Sequence, residues 1–339
     1  MKASLLELSR VPAGLTQHEA MEGSIALSVH AERIGMNRVW FAEHHINHSL
    51  AGHNPEVLIA AVSQHTNRIR LGSGAVLLNH YSPFKVAELF HGLEALAPGR
   101  IDLGLGRATA GSIIDTALRQ DRRAPFSDDF DQQVQEILGF HHEAFTEQHP
   151  FSQIPLAPFT KSAPETWVLG SSGNSAGMAG RLGLGYAFSG FINPDSAPTA
   201  FSLYRQSFVP ARFAAGQEPR TILSLLLSIA DTDAEARRLA WPTLASMSRL
   251  RRGGLTTTTP TQDEAAAELT DAQKDEPTTI VDGVAPRLIA GSPRTVATQI
   301  ERIVEATRTD EIMVLDAAPE FDQRQSAHEF LVDIAGAQA

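Results

Sequence analysis

Four histidines and a glutamate fall within eleven positions of one another, in Trp40-Phe41-Ala42-Glu43-His44-His45 followed by His48 and His53. Such a set invites a metal ion. Metal-binding pairs on regular structure fall at i, i+3 or i+4 on a helix, or i, i+2 on a strand, so adjacent His44 and His45 cannot both face one ion. No metal is therefore assigned. Two readings of the segment stay open. Its histidines could be satisfied by packing and backbone alone. Alternatively, one of them acts as a general acid/base or hydrogen-bond donor, with Glu43 setting its tautomer.

Three further segments could carry chemistry. In Arg70-Leu71-Gly72-Ser73-Gly74-Ala75-Val76-Leu77-Leu78-Asn79, two glycines close an apolar run. Glycine weakens a strand, so it marks a place where something approaches the backbone closely or the chain simply turns. Gly104-Leu105-Gly106-Arg107-Ala108-Thr109-Ala110-Gly111 resembles a dinucleotide fingerprint only superficially, because Thr109 stands where the third glycine belongs. Arg107 at a strand mouth is better explained as an anion ligand. In Thr166-Trp167-Val168-Leu169-Gly170-Ser171-Ser172-Gly173-Asn174-Ser175-Ala176-Gly177 a strand runs into small hydroxyl-bearing residues and then a helix. That arrangement offers N–H groups and hydroxyls to a phosphate at a positive helix end. Gly173–Gly177 also matches the nucleophile elbow of α/β-hydrolases, which makes a serine hydrolase using Ser175 an alternative. However, Ser175 lies five residues past Gly170, and no His-Gly-Gly oxyanion segment precedes it.

The elements that must position these residues are eight short apolar runs: Ser4–Leu8, Arg38–Ala42, Ile69–Gly74, Arg100–Gly104, Thr166–Gly170, Tyr186–Ser189, Thr221–Ala230 and Glu311–Leu315. Most show little alternation, as expected of parallel strands buried on both faces. Helix-period stretches separate them, and Asn54-Pro55, Ser82-Pro83 and Ser292-Pro293 each place a cap residue before a proline at the first helical position. Eight alternating units favour an α/β fold closed as a (β/α)8 barrel, one domain spanning residues 1–339. Residues 251–290, first Arg/Gly/Thr-rich and then acidic, break the rhythm between the seventh run and the last helix/strand unit. They read as a mobile lid on the catalytic face.

A formal charge of −11 repels phosphate backbones and anionic lipid, so neither nucleic acid nor membrane is expected as a partner. The absence of cysteine removes disulfides, thiolate nucleophiles and iron–sulfur clusters. Glu7 interrupts the apolar stretch a signal peptide needs, and no run approaches the ~20 apolar residues of a membrane span. The cytoplasm is the expected compartment.

Taken together, the segments resemble the luciferase-like flavin monooxygenases, the family of bacterial luciferase, over nearly the whole chain. The resemblance is carried by Glu43-His44-His45, by Gly72-Ser73-Gly74-Ala75-Val76-Leu77-Leu78, and by Leu96-Ala97-Pro98-Gly99-Arg100-Ile101 leading to Gly104-Leu105-Gly106-Arg107. Gly170-Ser171-Ser172-Gly173 and Gly291-Ser292-Pro293-Arg294-Thr295-Val296 complete it, all in family order.

What the resemblance implies is a (β/α)8 barrel with a mobile insertion after the seventh strand. It also implies an FMNH2- and O2-dependent monooxygenase acting on a small organic substrate through a C4a-peroxyflavin. A separate NAD(P)H:flavin reductase would supply the FMN in its reduced form, and a homodimer is common in the family. His44 would lie beside the reacting edge of the flavin, with Glu43 as its catalytic companion. Ser73 and a cis-bonded Gly74-Ala75 would lie at the ring, and Arg107, Ser171, Ser172, Gly173 and Ser175 would hold the phosphate. Gly106 replaces a reactive cysteine of bacterial luciferase, so light emission is not implied. The acidic member of the luciferase phosphate loop is Ser171 here. A second phosphate arginine has no clear counterpart, with Arg122 or Arg123 as substitutes. The resemblance is also consistent with a deazaflavin-dependent oxidoreductase of the same fold, which transfers hydride without O2, or with a flavin-binding barrel that has no catalysis.

Overall fold

All eight apolar runs form strands, because residues apolar at consecutive positions bury both faces only where helices cover the outside and side chains fill the inside. A computed structural model of the chain describes residues 1–108, 112–118, 129–211, 218–253 and 257–337. Its strands are β1 (Lys2–Glu7), β2 (Arg38–Phe41), β3 (Arg70–Ser73), β4 (Val76–Leu77), β5 (Ile101–Gly106), β6 (Glu165–Gly170), β7 (Gly185–Ser189), β8 (Thr221–Ile229), β9 (Leu288–Gly291) and β10 (Glu311–Asp316). Parallel pairing runs β1-β2-β3-β5-β6-β7-β8-β10 and returns to β1, because β10 bonds β8 from Glu311↔Ile222 to Asp316↔Leu227 and β1 from Glu311↔Lys2 to Leu315↔Leu6. This is a closed (β/α)8 barrel.

β4 and β9 are additions to the eight expected strands. β4 continues past Gly74-Ala75 and pairs with the end of β5, Val76↔Leu105 and Leu77↔Gly106. β9 pairs with Leu226–Ile229 of β8, beyond the Thr221–Ser224 stretch that β7 covers. Its four residues are buried, so the end of the 251–290 stretch belongs to the barrel wall rather than to an irregular loop. That stretch also holds helices Gln262–Glu268 and Asp271–Lys274, each opened by a capping box, from Thr261 and Thr270. Alternation of acidic and small residues hid those two turns from a periodicity reading, whereas the capping-box spacing S/T-x-x-E/Q was visible.

The three proline-marked helices begin where expected, at Pro55, Pro83 and Pro293. Only Ser292 makes a side-chain cap bond, to the Thr295 N–H. The outer faces of the strands pack against helices through Leu5, Val39, Phe41, Leu71, Leu103, Val168 and Phe188. The lumen is a separate core of Leu6, Trp40, Ala42, Trp167, Ala187, Ile222 and Met313. Trp40 and Trp167 meet edge to face with centroids 5.6 Å apart.

Below this aromatic plug the barrel is closed by charge. Arg38 bonds Asp102 at 2.7 Å and Glu311 at 2.9 Å, Arg70 bonds Asp102, and Glu165 takes Arg70 at 3.3 Å and also Arg220. The Trp40 indole N–H donates to Asp102 at 2.9 Å. Burial alone would raise the Asp102 carboxyl, but Arg38 and Arg70 outweigh it and hold it below the usual carboxylate range. A cavity of about 190 Å³ beside this network is lined by Arg70, Glu165, Thr166 and Arg220, and it lies at the end of the barrel away from the histidine segment. Removing one member of a buried ionic set strands its partners, at a cost of about 3–5 kcal/mol. Asp102→Ala is therefore expected to lower the melting temperature by several degrees, read by circular dichroism. A melting curve identical to that of the parent chain would show that the network contributes nothing to stability.

Candidate active site

The C-terminal ends of the strands carry the side chains that the sequence singled out, the end at which barrels of this type place their active sites. β2 runs out at Phe41, and the chain from Ala42 to Leu50 folds over the rim as a loop laced to the end of β1. Val11 N–H donates to Ser49 O at 2.9 Å, and Ala51 N–H to Ser9 O at 2.7 Å. His53 Nδ1 bonds the His44 carbonyl oxygen, which fixes the loop from its far side.

Among the described residues His44 makes no hydrogen bond to its acidic neighbour, Glu43. The His44 Nδ1 is buried and has no hydrogen-bond partner among the described residues. Burial first, then the charge of Arg10, then His53 and His45 push its pKa down to about 4, so the imidazole is neutral at ordinary pH. Glu43, read as the group that sets a catalytic histidine's tautomer, bonds His45 Nε2 at 2.7 Å instead. It also accepts the Tyr81 hydroxyl at 2.6 Å and the Leu77 N–H at 2.8 Å. Glu43 thus ties the end of β2 to β4 and to Tyr81 beyond it, and among the described residues its side chain has no hydrogen bond to His44. Residues i and i+2 of an extended chain share a side, which is why the carboxylate meets His45 rather than its direct neighbour.

The glycine segments form a bare stretch of wall. A Cβ on Gly72 would meet Asp102 at 2.6 Å and the Trp40 indole at 2.7 Å, and one on Gly104 would meet Ser73 O at 2.0 Å. The Gly74-Ala75 peptide bond is cis, and Gly106 lies against Ala75. Ser73 is spent within this wall. Its hydroxyl donates to Gly104 O at 2.9 Å and accepts from Gly104 N at 3.0 Å, and the side chain is fully buried. The side chain of Ser73 is therefore a strand-to-strand tie rather than a cofactor ligand; only its backbone could serve a ring.

β6 ends at Gly170, and the helix Gly173–Arg181 begins three residues later. Ser172 occupies the N-cap without making a cap bond, so the first N–H groups of the helix lack a side-chain acceptor from it. Gly170 has no room for a side chain, since its Cβ would lie 1.8 Å from Ser175 Oγ. Ser175 Oγ in turn meets Tyr186 OH and Ser172 O, each at 3.2 Å. Tyr186 donates to Ser172 O at 3.0 Å, and burial pushes its hydroxyl pKa up to about 12. Asn193 holds the Ser171 carbonyl at 3.2 Å. The β5–β6 ladder, Leu105↔Val168, leads two residues on to Arg107 and Gly170, so the exposed guanidinium and the serine turn sit at neighbouring strand ends. Cation, helix start and hydroxyls together suit a phosphate.

Ser175 does not fit a nucleophile. It is the third residue of a helix, and among the described residues its hydroxyl meets Tyr186 and a carbonyl rather than a histidine. Arg122 and Arg123 lie outside the described residues. No group of three or more metal-ligating side chains forms a metal site among the described residues.

A family model described as luciferase-like monooxygenase matches residues 1–310. The chain belongs to that family. It is similar to an N-acetyl-S-alkylcysteine monooxygenase of Bacillus subtilis (strain 168), at 31% identity over 334 residues and 98% of each chain. Its fold matches the crystal structure of apo-MsnO8 with a TM-score of 0.88 at 36% identity, covering 99% of this chain and 98% of that one. The oxygenating constituent of 3,6-diketocamphane monooxygenase from Pseudomonas putida, solved in complex with FMN, shares the fold at 21% identity with a TM-score of 0.67, over 98% of this chain and 97% of that one. The chain is thus an enzyme of the flavin-dependent monooxygenase and oxidoreductase class.

Within this family member, three side chains at the site carried no sequence signal of their own. Tyr186 and Tyr81 sit in or beside apolar runs and reveal their roles only through the groups they bond. Arg10 follows the first run, and its proximity to His44 depends on barrel closure. The neutral state of His44 is directly measurable. A histidine-resolved NMR titration is expected to show a midpoint near 4 for His44, whereas a midpoint near the ordinary value of about 6.5 would mean that neither burial nor Arg10 acts on it. Because protonation is disfavoured in the folded state, the associated stability is complete above the unfolded pKa of about 6.5 and is lost as pH falls toward 4.

Proposed function

We propose that this chain is the oxygenase component of a two-component monooxygenase. It takes FMN already reduced by NAD(P)H on a separate flavin reductase and, with O2, oxygenates a small organic substrate. The observation that carries this reading is the placement of Arg107 beside the Gly170–Ser175 turn, at the neighbouring ends of β5 and β6, on the same rim as a half-buried, neutral His44. When bound, reduced FMN supplies two electrons to O2, so that one oxygen atom enters the substrate and the other leaves as water. The chain's own residues bind, orient and manage protons. Arg107 and the N–H groups at the start of helix Gly173–Arg181 hold the phosphate, with Ser171, Ser172, Gly173 and Ser175 shaping the turn. Gly74 and Ala75 offer backbone without bulk to a flat ring. His44, as neutral imidazole, has one N–H and one lone pair, and its unpartnered nitrogen can take up or release a proton at the reacting centre.

Residues 251–290 are proposed as the lid. Thr259 N–H donates to Val11 O at 2.7 Å, so the segment is fastened to the rim beside the histidine loop. Its helix Gln262–Glu268 is held to the preceding helix by Arg249–Glu268 and Arg252–Glu268 pairs, both 2.6 Å. Excluding water is the chemical reason for a lid over an oxygen-activating centre. Limited trypsin digestion is expected to cut first at Arg251, Arg252 or Lys274, more slowly with reduced FMN present. First cuts elsewhere, indifferent to flavin, would overturn the lid assignment.

The phosphate assignment predicts selectivity. Charge-assisted hydrogen bonds contribute about 1.5–3 kcal/mol each, so Arg107→Ala should weaken FMN binding at least tenfold and leave riboflavin almost unchanged in a fluorescence titration. Equal losses for the two ligands would remove Arg107 from the phosphate site.

The role of His44 is tested by coupling. His44→Ala is expected to slow substrate oxygenation by ~10²–10⁴, with more of the consumed O2 recovered as H2O2, while FMN binds as before. Ser175→Ala should weaken FMN modestly and leave the product yield intact. Ester turnover that is independent of O2 and disappears with Ser175 would restore the hydrolase reading.

A further inference from the structure

Arginines in the interior of this barrel are paired with acids. Arg38 and Arg70 share Asp102, with Glu311 on the first, and Arg324 bonds both Glu7 and Asp316. Arg10 is different. It lies just past β1, where Ser9 at φ 51° turns the chain, and it bridges antiparallel to Leu50 at the end of the His44 loop. One guanidinium N–H donates to the Asp316 carbonyl oxygen at the end of β10. Among the described residues no carboxylate comes within ion-pair distance of it. The nearest acids are already committed: Glu7 to Arg324, and Asp316 to Arg324 and His328, both at 2.9 Å. Arg10 is half-buried; burial and then Arg324 lower its pKa to about 10, with Asp316 and Glu7 partly offsetting them from beyond ion-pair distance, so it stays cationic at neutral pH with no direct ion-pair partner among the described residues.

Its position says which reactant that charge serves. Going round the barrel, β1 is separated from β6 by β2, β3 and β5, which puts Arg10 opposite the Gly170–Ser175 turn. A phosphate held by that turn and Arg107 leaves Arg10 unused, while β2, which carries His44, is the immediate neighbour of β1. Apolar side chains are available on the same arc, since Leu8 lies two residues before Arg10. Leu8 and Phe191 pack both on the lumen core and on the cluster of Leu226, Leu315 and Ala317 at the top of β8 and β10.

We propose that Arg10 is the anchor for a carboxylate on the organic substrate, and that this oxygenase acts on small carboxylic acids whose apolar part lies against Leu8 and Phe191. The proposal rests on the oxygenase reading for the word substrate, but not for the anion site itself. The guanidinium fork matches a carboxylate's two oxygens and offers donors that the chain leaves unfilled. It would hold the acid end at the β1–β10 side of the mouth and leave the opposite end of the molecule free for the chemistry near His44.

Calorimetric titration of the full-length protein, with and without oxidised FMN, tests this with octanoate and octanamide as probes. Octanoate is expected to bind at least tenfold more tightly than octanamide. Arg10→Gln should reduce octanoate to the affinity of the amide, with FMN affinity unchanged, and Arg10→Lys should keep part of the preference. Equal affinity for the two probes in the parent protein, or an undiminished preference in both variants, overturns the assignment. Failure of the oxygenase reading looks different, since FMN would then not bind while the flavin-free titrations still report on Arg10.

Discussion

The close approach of β3 to β5 is the constraint on which the rest of the site depends. Glycine at 72 and 104 lets Trp40, Asp102 and the Ser73 backbone occupy space that any side chain would fill. The Ser73 hydroxyl then locks the two strands through both backbone groups of Gly104. Below the contact the lumen is packed with tryptophan and closed by a buried ionic set. Above it the wall is bare backbone, Gly74-Ala75 beside Gly106, which is what a flat ring needs if it is to lie against protein without displacing a side chain. A single Cβ at Gly104 would push β3 outward and disturb the floor and the mouth together.

Electrostatics divides the mouth into regions with different tasks. Buried arginines at the base are matched by Asp102, Glu165 and Glu311, so their charge holds structure and does not reach a ligand. At the rim, Arg107 and Arg10 stand on opposite arcs of the barrel, with His44 on β2, next to the strand that carries Arg10. Burial and the nearby cation keep His44 neutral. A neutral imidazole can exchange a proton in either direction, whereas an imidazolium held beside Arg10 would be repelled by it. Arg10 thus has two tasks in this account, adding to the burial that keeps His44 neutral and offering hydrogen-bond donors to an anion.

Much of this architecture was legible in the sequence, for reasons that differ by residue. The barrel strands were visible because largely apolar runs such as Thr221–Ile229, interrupted only by Ser224 and Ser228 after the opening threonine, have few other uses. Pro55, Pro83 and Pro293 marked helix starts because a missing N–H is harmless only there. Gly170-Ser171-Ser172-Gly173 announced a strand-to-helix turn through its small residues. Pairing across the fold was not legible. Which histidine Glu43 bonds depends on loop geometry, the hydroxyl of Ser73 looks the same whether it faces a ligand or a strand, and Tyr186 bonds a turn eleven residues before it. β4 and β9, at two and four residues, fall below the length at which an apolar run can be told from a turn. The helices of the 251–290 stretch were missed because their signal lies in capping boxes rather than in an apolar stripe.

A chain that receives reduced FMN and controls its reaction with oxygen must change how that flavin reoxidises. Anaerobic titration with reduced FMN, followed by rapid mixing with O2 while flavin absorbance is recorded, measures this. Saturable binding of the reduced form is expected, with reoxidation whose rate and spectrum differ from those of free reduced FMN. Reoxidation indistinguishable from that of free flavin at saturating protein would contradict the oxygenase reading.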